Sequence, residues 1–159
     1  MVYNRQQAVA YAHQWAFKRN PRYLDFSGMG GDCTNFISQC LHAGGAKMNY
    51  QPIFGWYYID AANRAPAWSG VQYLYNFLCE NQGGGPFAQE IQLEKIQIAD
   101  VVQLAFHENT FRHSLLAVET GHIPNLSNTL IATHSDDSDY RPLSSYHFSN
   151  IRCLKINAR

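Results

Sequence analysis

The sequence carries a cysteine, Cys33, directly after Asp32 and a glycine-rich approach, Ser27-Gly28-Met29-Gly30-Gly31. A helical stripe of Cys33, Phe36, Ile37, Cys40 and Leu41 begins at that cysteine. A thiol in the first turn of a helix meets about half a positive charge and unpaired N–H groups, which favour a thiolate and can hold an oxyanion. Asp32 works against this. Its carboxylate suits a helix N-terminus, yet its charge raises the thiol pKa, so a nearby imidazolium is needed to ionise the sulfur. Of the seven histidines, His113 opens the apolar segment that runs to Val118, and His134 closes Leu130-Ile131-Ala132-Thr133. If these segments pair antiparallel, the two rings become neighbours at one sheet edge. A nucleophile, a base and a group that orients the base is the arrangement of covalent acyl transfer, so Cys33, His113 and His134 form the candidate catalytic set. That reading needs no metal or cofactor.

Two rival readings use the same residues. Cys33, His113 and His134 are chemically sensible zinc ligands with one position left open. A non-catalytic module that binds peptide or glycan through its aromatic loop is the other. His13 reads as solvent-facing, His42 as a helix-end cap, and His107, His122 and His147 fall in loops or turns.

Positioning these residues requires helices first and strands afterwards. Asn4-Arg5-Gln6-Gln7 reads as a capping box for a first helix with apolar positions Val9, Ala12, Trp15 and Ala16, ended by Asn20-Pro21. The Cys33 helix follows and stops at Gly44-Gly45. Residues 47–67 read as a long aromatic loop in which Trp56, Tyr57 and Tyr58 form a binding wall or a plug for the core. Ser69 caps a third helix through Val71, Leu74, Tyr75 and Leu78. Beyond Phe87 come short β-rich segments at 98–104, 113–119, 126–133 and 151–156. This order predicts an α+β domain with an antiparallel sheet of about five strands. One domain over 1–159 is expected, helical through 85 and strand-rich from 86.

Composition narrows the partners. The 159 residues suffice for one ordinary domain that needs no staple to fold. Charged residues make up 15% and aromatics 14%, which excludes disorder. Twelve basic and twelve acidic side chains cancel, giving no reason to expect nucleic acid or an anionic membrane as partner. No apolar run approaches the length of a spanning helix. The opening residues lack the apolar core of a signal peptide, so the expectation is a protein inside the cell or one domain of a longer secreted chain. Cys33 and Cys40, about 10 Å apart on one helix, are too far apart for a disulfide, and at least three of the four cysteines are expected free. Ser135-Asp136-Asp137-Ser138-Asp139 lacks the glycine and distal glutamate of a calcium hand and reads as a solvated turn.

The run Gly30-Gly31-Asp32-Cys33-Thr34-Asn35-Phe36-Ile37-Ser38-Gln39-Cys40-Leu41 with Ala43-Gly44-Gly45 resembles the signature of the bacterial Putative amidase domain family, grouped with the papain-like clan that includes NlpC-type and CHAP cell-wall hydrolases. Similar too are the start from Tyr3 to Ala16, Arg19-Asn20-Pro21, Gly55-Trp56-Tyr57-Tyr58, Ala99-Asp100-Val101-Val102-Gln103-Leu104, His113-Ser114-Leu115, His134-Ser135 with Asp137, and Arg141 to Tyr146. The resemblance implies a papain-like fold with the nucleophile helix packed on the sheet. It gives Cys33 the place of the nucleophile, His113 that of the base and His134 that of the orienting group, with Asp136 and Asp137 as competitors for the last. A cysteine amidase or peptidase acting on bacterial cell-wall peptide follows, with Asp32, Trp56, Tyr57 and Asp136 expected on the substrate side. Ala99 stands where many relatives carry glycine.

Overall fold

The structure is a computed structural model and describes residues 2–159. Helix α1 spans Arg5–Trp15, α2 Cys33–Ala43, α3 Pro66–Ser69 and α4 Val71–Glu80. Strands are β1 Tyr58–Asp60, β2 Asn63–Arg64, β3 Pro86–Ile91, β4 Val101–His107, β5 Thr110–Glu119, β6 Leu130–Thr133, β7 Ser138–Pro142 and β8 Asn150–Ala158. The chain is therefore α+β, as its texture predicts. β1 and β2 form a small hairpin inside the aromatic segment, and the other six make one sheet in the order β3-β8-β4-β5-β6-β7, each neighbour antiparallel. Among the described residues no helix is long and apolar enough to cross a membrane.

The sheet is covered on both faces, and its side chains sort by the two-residue period of a strand. Val101, Leu116, Val118, Ala132, Leu154 and Ile156 join the helices in one core with Phe36, Ile37, Leu41, Trp56, Trp68 and Leu74. Val102, Leu104, Leu115, Ala117, Ile131 and Cys153 line the other face under Ile96 and Leu143, with Tyr146 and Phe148 packed alongside. Helix α1 approaches closely because Ala8, Ala12 and Ala16 present a flat stripe without exposed surface. Asn4 caps it by accepting from the Gln7 amide (3.0 Å). The reciprocal half of the box is absent, since the Asn4 amide goes to the Gly44 carbonyl instead (2.8 Å).

Several expectations are corrected here. The sheet has six strands rather than about five, because β3 and β7 carry too many polar residues (Gln89, Glu90, Asp139, Arg141) to announce themselves by hydrophobicity. Of residues 135–139, expected as a solvated turn, 135–137 form the turn and Ser138 and Asp139 begin the edge strand β7. Ser69 ends α3, and Gly70 precedes α4 without a side-chain cap. His13 is tied to Asp139 (2.7 Å) and stacks on Tyr140 (4.5 Å between centroids) rather than facing open solvent. Ala99 sits at φ 67°, a left-handed conformation that glycine adopts without strain. Its carbonyl takes the Tyr3 hydroxyl (2.9 Å) and its amide bonds Ala117 (2.7 Å), so tertiary contacts hold the strained residue in place.

Candidate active site

Helix α2 starts at Cys33 because the glycines before it permit a turn no other residue makes cheaply. Gly30 and Gly31 have φ of 96° and 106°, and a side chain on Gly31 would also press on the Ser135 hydroxyl at 3.1 Å. The tight approach carries Asp32 into the interior, where it has no exposed surface. Its carboxylate does not cap the helix. One oxygen accepts from the Phe26 amide (2.8 Å) and the Asn35 side chain (2.9 Å), and the other meets His134 Nδ1 (2.5 Å) with Arg19 Nε at 3.6 Å. Asp32 is thus a buried fastener of the approach loop and not a substrate contact, which corrects that expectation.

His134 is the second correction. The strands carrying His113 and His134 do pair antiparallel, with Leu116 opposite Ala132 and Ala117 opposite Ile131. Continued by two residues, this register sets His134 across from Ser114, not from His113. Because side chains alternate, a one-residue difference puts the two rings on opposite faces. His134 lies on the helix side, stacked on Phe36 (4.0 Å between centroids), with Nε2 at 2.7 Å from the Trp15 carbonyl. A carbonyl and a carboxylate both only accept, so one proton sits on Nε2 and one lies between Nδ1 and Asp32. The pair is net neutral. The His134 ring thus stands against Asp32 and Phe36 on the helix side of the sheet, and not beside the His113 ring.

Cys33 (6% exposed) and His113 (7% exposed) are both nearly buried, and Tyr146 links them, its ring edge-on to His113 and within reach of the charge of Cys33. The Ser114 backbone lies near enough to the thiol to lower its pKa, and Thr34 Oγ1 lies 3.8 Å from the sulfur. The Ser114 hydroxyl anchors this contact, bonding Thr34 Oγ1 (3.0 Å) and accepting from Gln103 Nε2 (3.1 Å). Through Thr34 the sulfur is thus linked to the residue that follows His113. The His113 ring is set by aromatic neighbours, Tyr146 edge-on at 5.8 Å and Phe106 tilted at 6.2 Å. Among the described residues no hydrogen bond claims its nitrogens.

Electrostatics favour a neutral pair at rest. Burial is the largest cause raising the Cys33 thiol above its ordinary value, and the nearby Asp32 is the smallest. Burial, then the Arg141 guanidinium, pushes His113 down to about 4, while Asp136 pulls the other way. Both shifts run against the imidazolium expected to ionise the sulfur, because burial disfavours both charged forms.

The remaining expected site residues separate. Asp136 is exposed and pairs with Arg141 (2.8 Å), close enough for its charge to act on His113. Asp137 is bound by both terminal nitrogens of Arg19 (2.9 and 3.0 Å), which takes it out of competition for the base. Trp56 has no exposed surface and donates to the Ser38 hydroxyl (3.0 Å), so it plugs the core instead of stacking on a ligand. Tyr57 is also buried, its hydroxyl accepting from the Ile53 amide (3.3 Å). The zinc reading loses its third ligand, since both His134 nitrogens are committed, and among the described residues no three metal-binding side chains converge. All four cysteines are free. A cavity of about 630 Å³ lined by Gln51, Phe54, Tyr73 and Phe77 does not include Cys33, His113 or His134 in its walls.

Sequence reasoning did not single out Tyr146, Arg141 or the Ser114 backbone. The only signal for the first two was their place in the run from Arg141 to Tyr146.

The family described as Putative amidase domain matches residues 2–156. The chain is also similar to an uncharacterized protein of Bacillus subtilis (strain 168), YhbB, with 31% identity over 160 residues, covering 94% of this chain. It spans about half the length of that relative, 50%. No solved structure matches the chain. With nearly its whole length matched, the chain belongs to the Putative amidase domain family, whose description points to the hydrolysis of amide bonds.

Proposed function

We propose that this chain is a papain-like cysteine amidase or peptidase in which Cys33 attacks the amide carbonyl and His113 is the general base. The observation that carries the reading is a thiol at the uncapped head of α2 whose charge acts on Tyr146, the ring that meets His113 edge-on at 5.8 Å, while no hydrogen bond among the described residues claims the His113 nitrogens. Because both groups rest neutral, the proton moves from sulfur to His113 as the C–S bond forms. The Cys33 amide, at a helix N-terminus left uncapped by Asp32, faces the developing oxyanion. Collapse expels the amine, which takes the proton from His113. Water activated by the same ring then cleaves the thioester. Asp136, a competitor for the third role, is the acidic group whose charge favours the imidazolium, and its partner Arg141 opposes it more strongly.

Bacterial cell-wall peptide is the proposed substrate class, supported by the resemblance to NlpC-type and CHAP hydrolases. Purified peptidoglycan fragments incubated with wild type and Cys33→Ala, then compared by mass spectrometry, test it. New free amine and carboxyl termini with wild type alone are expected. Identical fragment patterns would remove this substrate class.

A further inference from the structure

Tyr146 is only partly buried, but its hydroxyl oxygen is shielded from solvent and has no hydrogen-bond partner. Buried polar groups are nearly always paired, so an orphan calls for a reason. Ser138 stands close by, but its own proton goes to the Asp136 carbonyl (2.7 Å). The ring is held firmly by other means. Arg141 stacks on it at 3.8 Å from the centroid, and its edge meets His113 at 5.8 Å. Tyr146 is also near enough for the charge of Cys33 to act on it. An immobilised O–H donor beside both nucleophile and base, with its proton unspent, is what a preorganised oxyanion site requires.

We infer that the Tyr146 hydroxyl is a second oxyanion donor, hydrogen-bonding the substrate carbonyl oxygen opposite the Cys33 amide. This rests on the thiol-hydrolase reading above. During attack the C–S bond forms, the carbonyl π pair moves to oxygen, and the thiol proton passes to His113. Tyr146 donates a hydrogen bond and keeps its proton. When the carbonyl re-forms, the bond to the leaving group breaks and His113 returns the proton to it.

Tyr146→Phe tests this by removing one oxygen while keeping the ring between Arg141 and His113. Two reactions of Cys33 are compared. Acylation by p-nitrophenyl acetate passes through an oxyanion, whereas alkylation by iodoacetamide does not. The expected result is acylation slowed about 10²-fold, alkylation unchanged, and a thermal midpoint equal to or above wild type, since an unsatisfied buried hydroxyl has been deleted. Unchanged acylation would overturn the assignment. A parallel fall in acylation and alkylation would overturn it too, and would make Tyr146 a positioning residue for His113. Wild type that forms no acetyl adduct on Cys33 would instead sink the thiol-hydrolase reading, and this inference with it.

Discussion

His134→Ala separates a structural histidine from a catalytic one, and the structure sets the size of the effect. The substitution leaves Asp32, with no exposed surface, without its main counter-charge. It also removes the bond to the Trp15 carbonyl and the stack on Phe36. Breaking a buried ion pair by deleting one partner costs about 3–5 kcal/mol. Arg19 Nε, at 3.6 Å from the same carboxylate oxygen, compensates in part and favours the lower end. For a chain of this length, about 3 kcal/mol lowers Tm by roughly 6–12 °C. Urea unfolding followed by tryptophan fluorescence measures the loss, and a cycle with Asp32→Asn isolates the coupling. The double variant should be more stable than the two single losses added together predict. A His134→Ala protein as stable as wild type but as inactive as Cys33→Ala would refute the reasoning and return the ring to the chemistry.

Four further outcomes follow. His113 titrates at about 4 in the folded chain against 6.5 as its ordinary value, so between these pH values the unfolded chain binds more protons. Its contribution is complete above pH 6.5 and is lost as pH falls through the window, by about 3 kcal/mol; His113→Phe should flatten that part of a stability-versus-pH curve. The same depressed value keeps the base available in mild acid, so the acid limb of kcat/KM should lie well below pH 6.5. Asp136→Asn should move that limb lower, and Arg141→Met should move it higher, because the two charges act on His113 with opposite sign. Trp56→Ala should cost about 3–5 kcal/mol, measured by chemical denaturation, since the ring is a core plug; a stable variant with weakened substrate binding would restore it to the binding wall.

The Cys33 helix was readable because its apolar stripe and glycine approach are local signals, and α2 begins at the expected residue. The β5–β6 hairpin was readable too, but its register was not. Facing is decided by a single residue of offset, and alternation turns that offset into opposite sides of the sheet. Nor did the sequence reveal burial of Trp56, since its partner hydroxyl, Ser38, lies on another element. The same holds for the pKa direction of Cys33. Helix position argued for ionisation, while desolvation, visible only in three dimensions, outweighs it. His134 was singled out as a neighbour of His113 at one sheet edge, and the one-residue offset sets its ring against Asp32 and Phe36 instead.

Acid-quenched mass spectrometry of the chain turning over an amide substrate tests the thioester most directly. An acyl adduct confined to the peptide containing Cys33, accumulating in wild type and absent from Cys33→Ala together with turnover, is the result the account predicts. Undiminished amide hydrolysis by Cys33→Ala, with no adduct on any cysteine of the wild type, would contradict it.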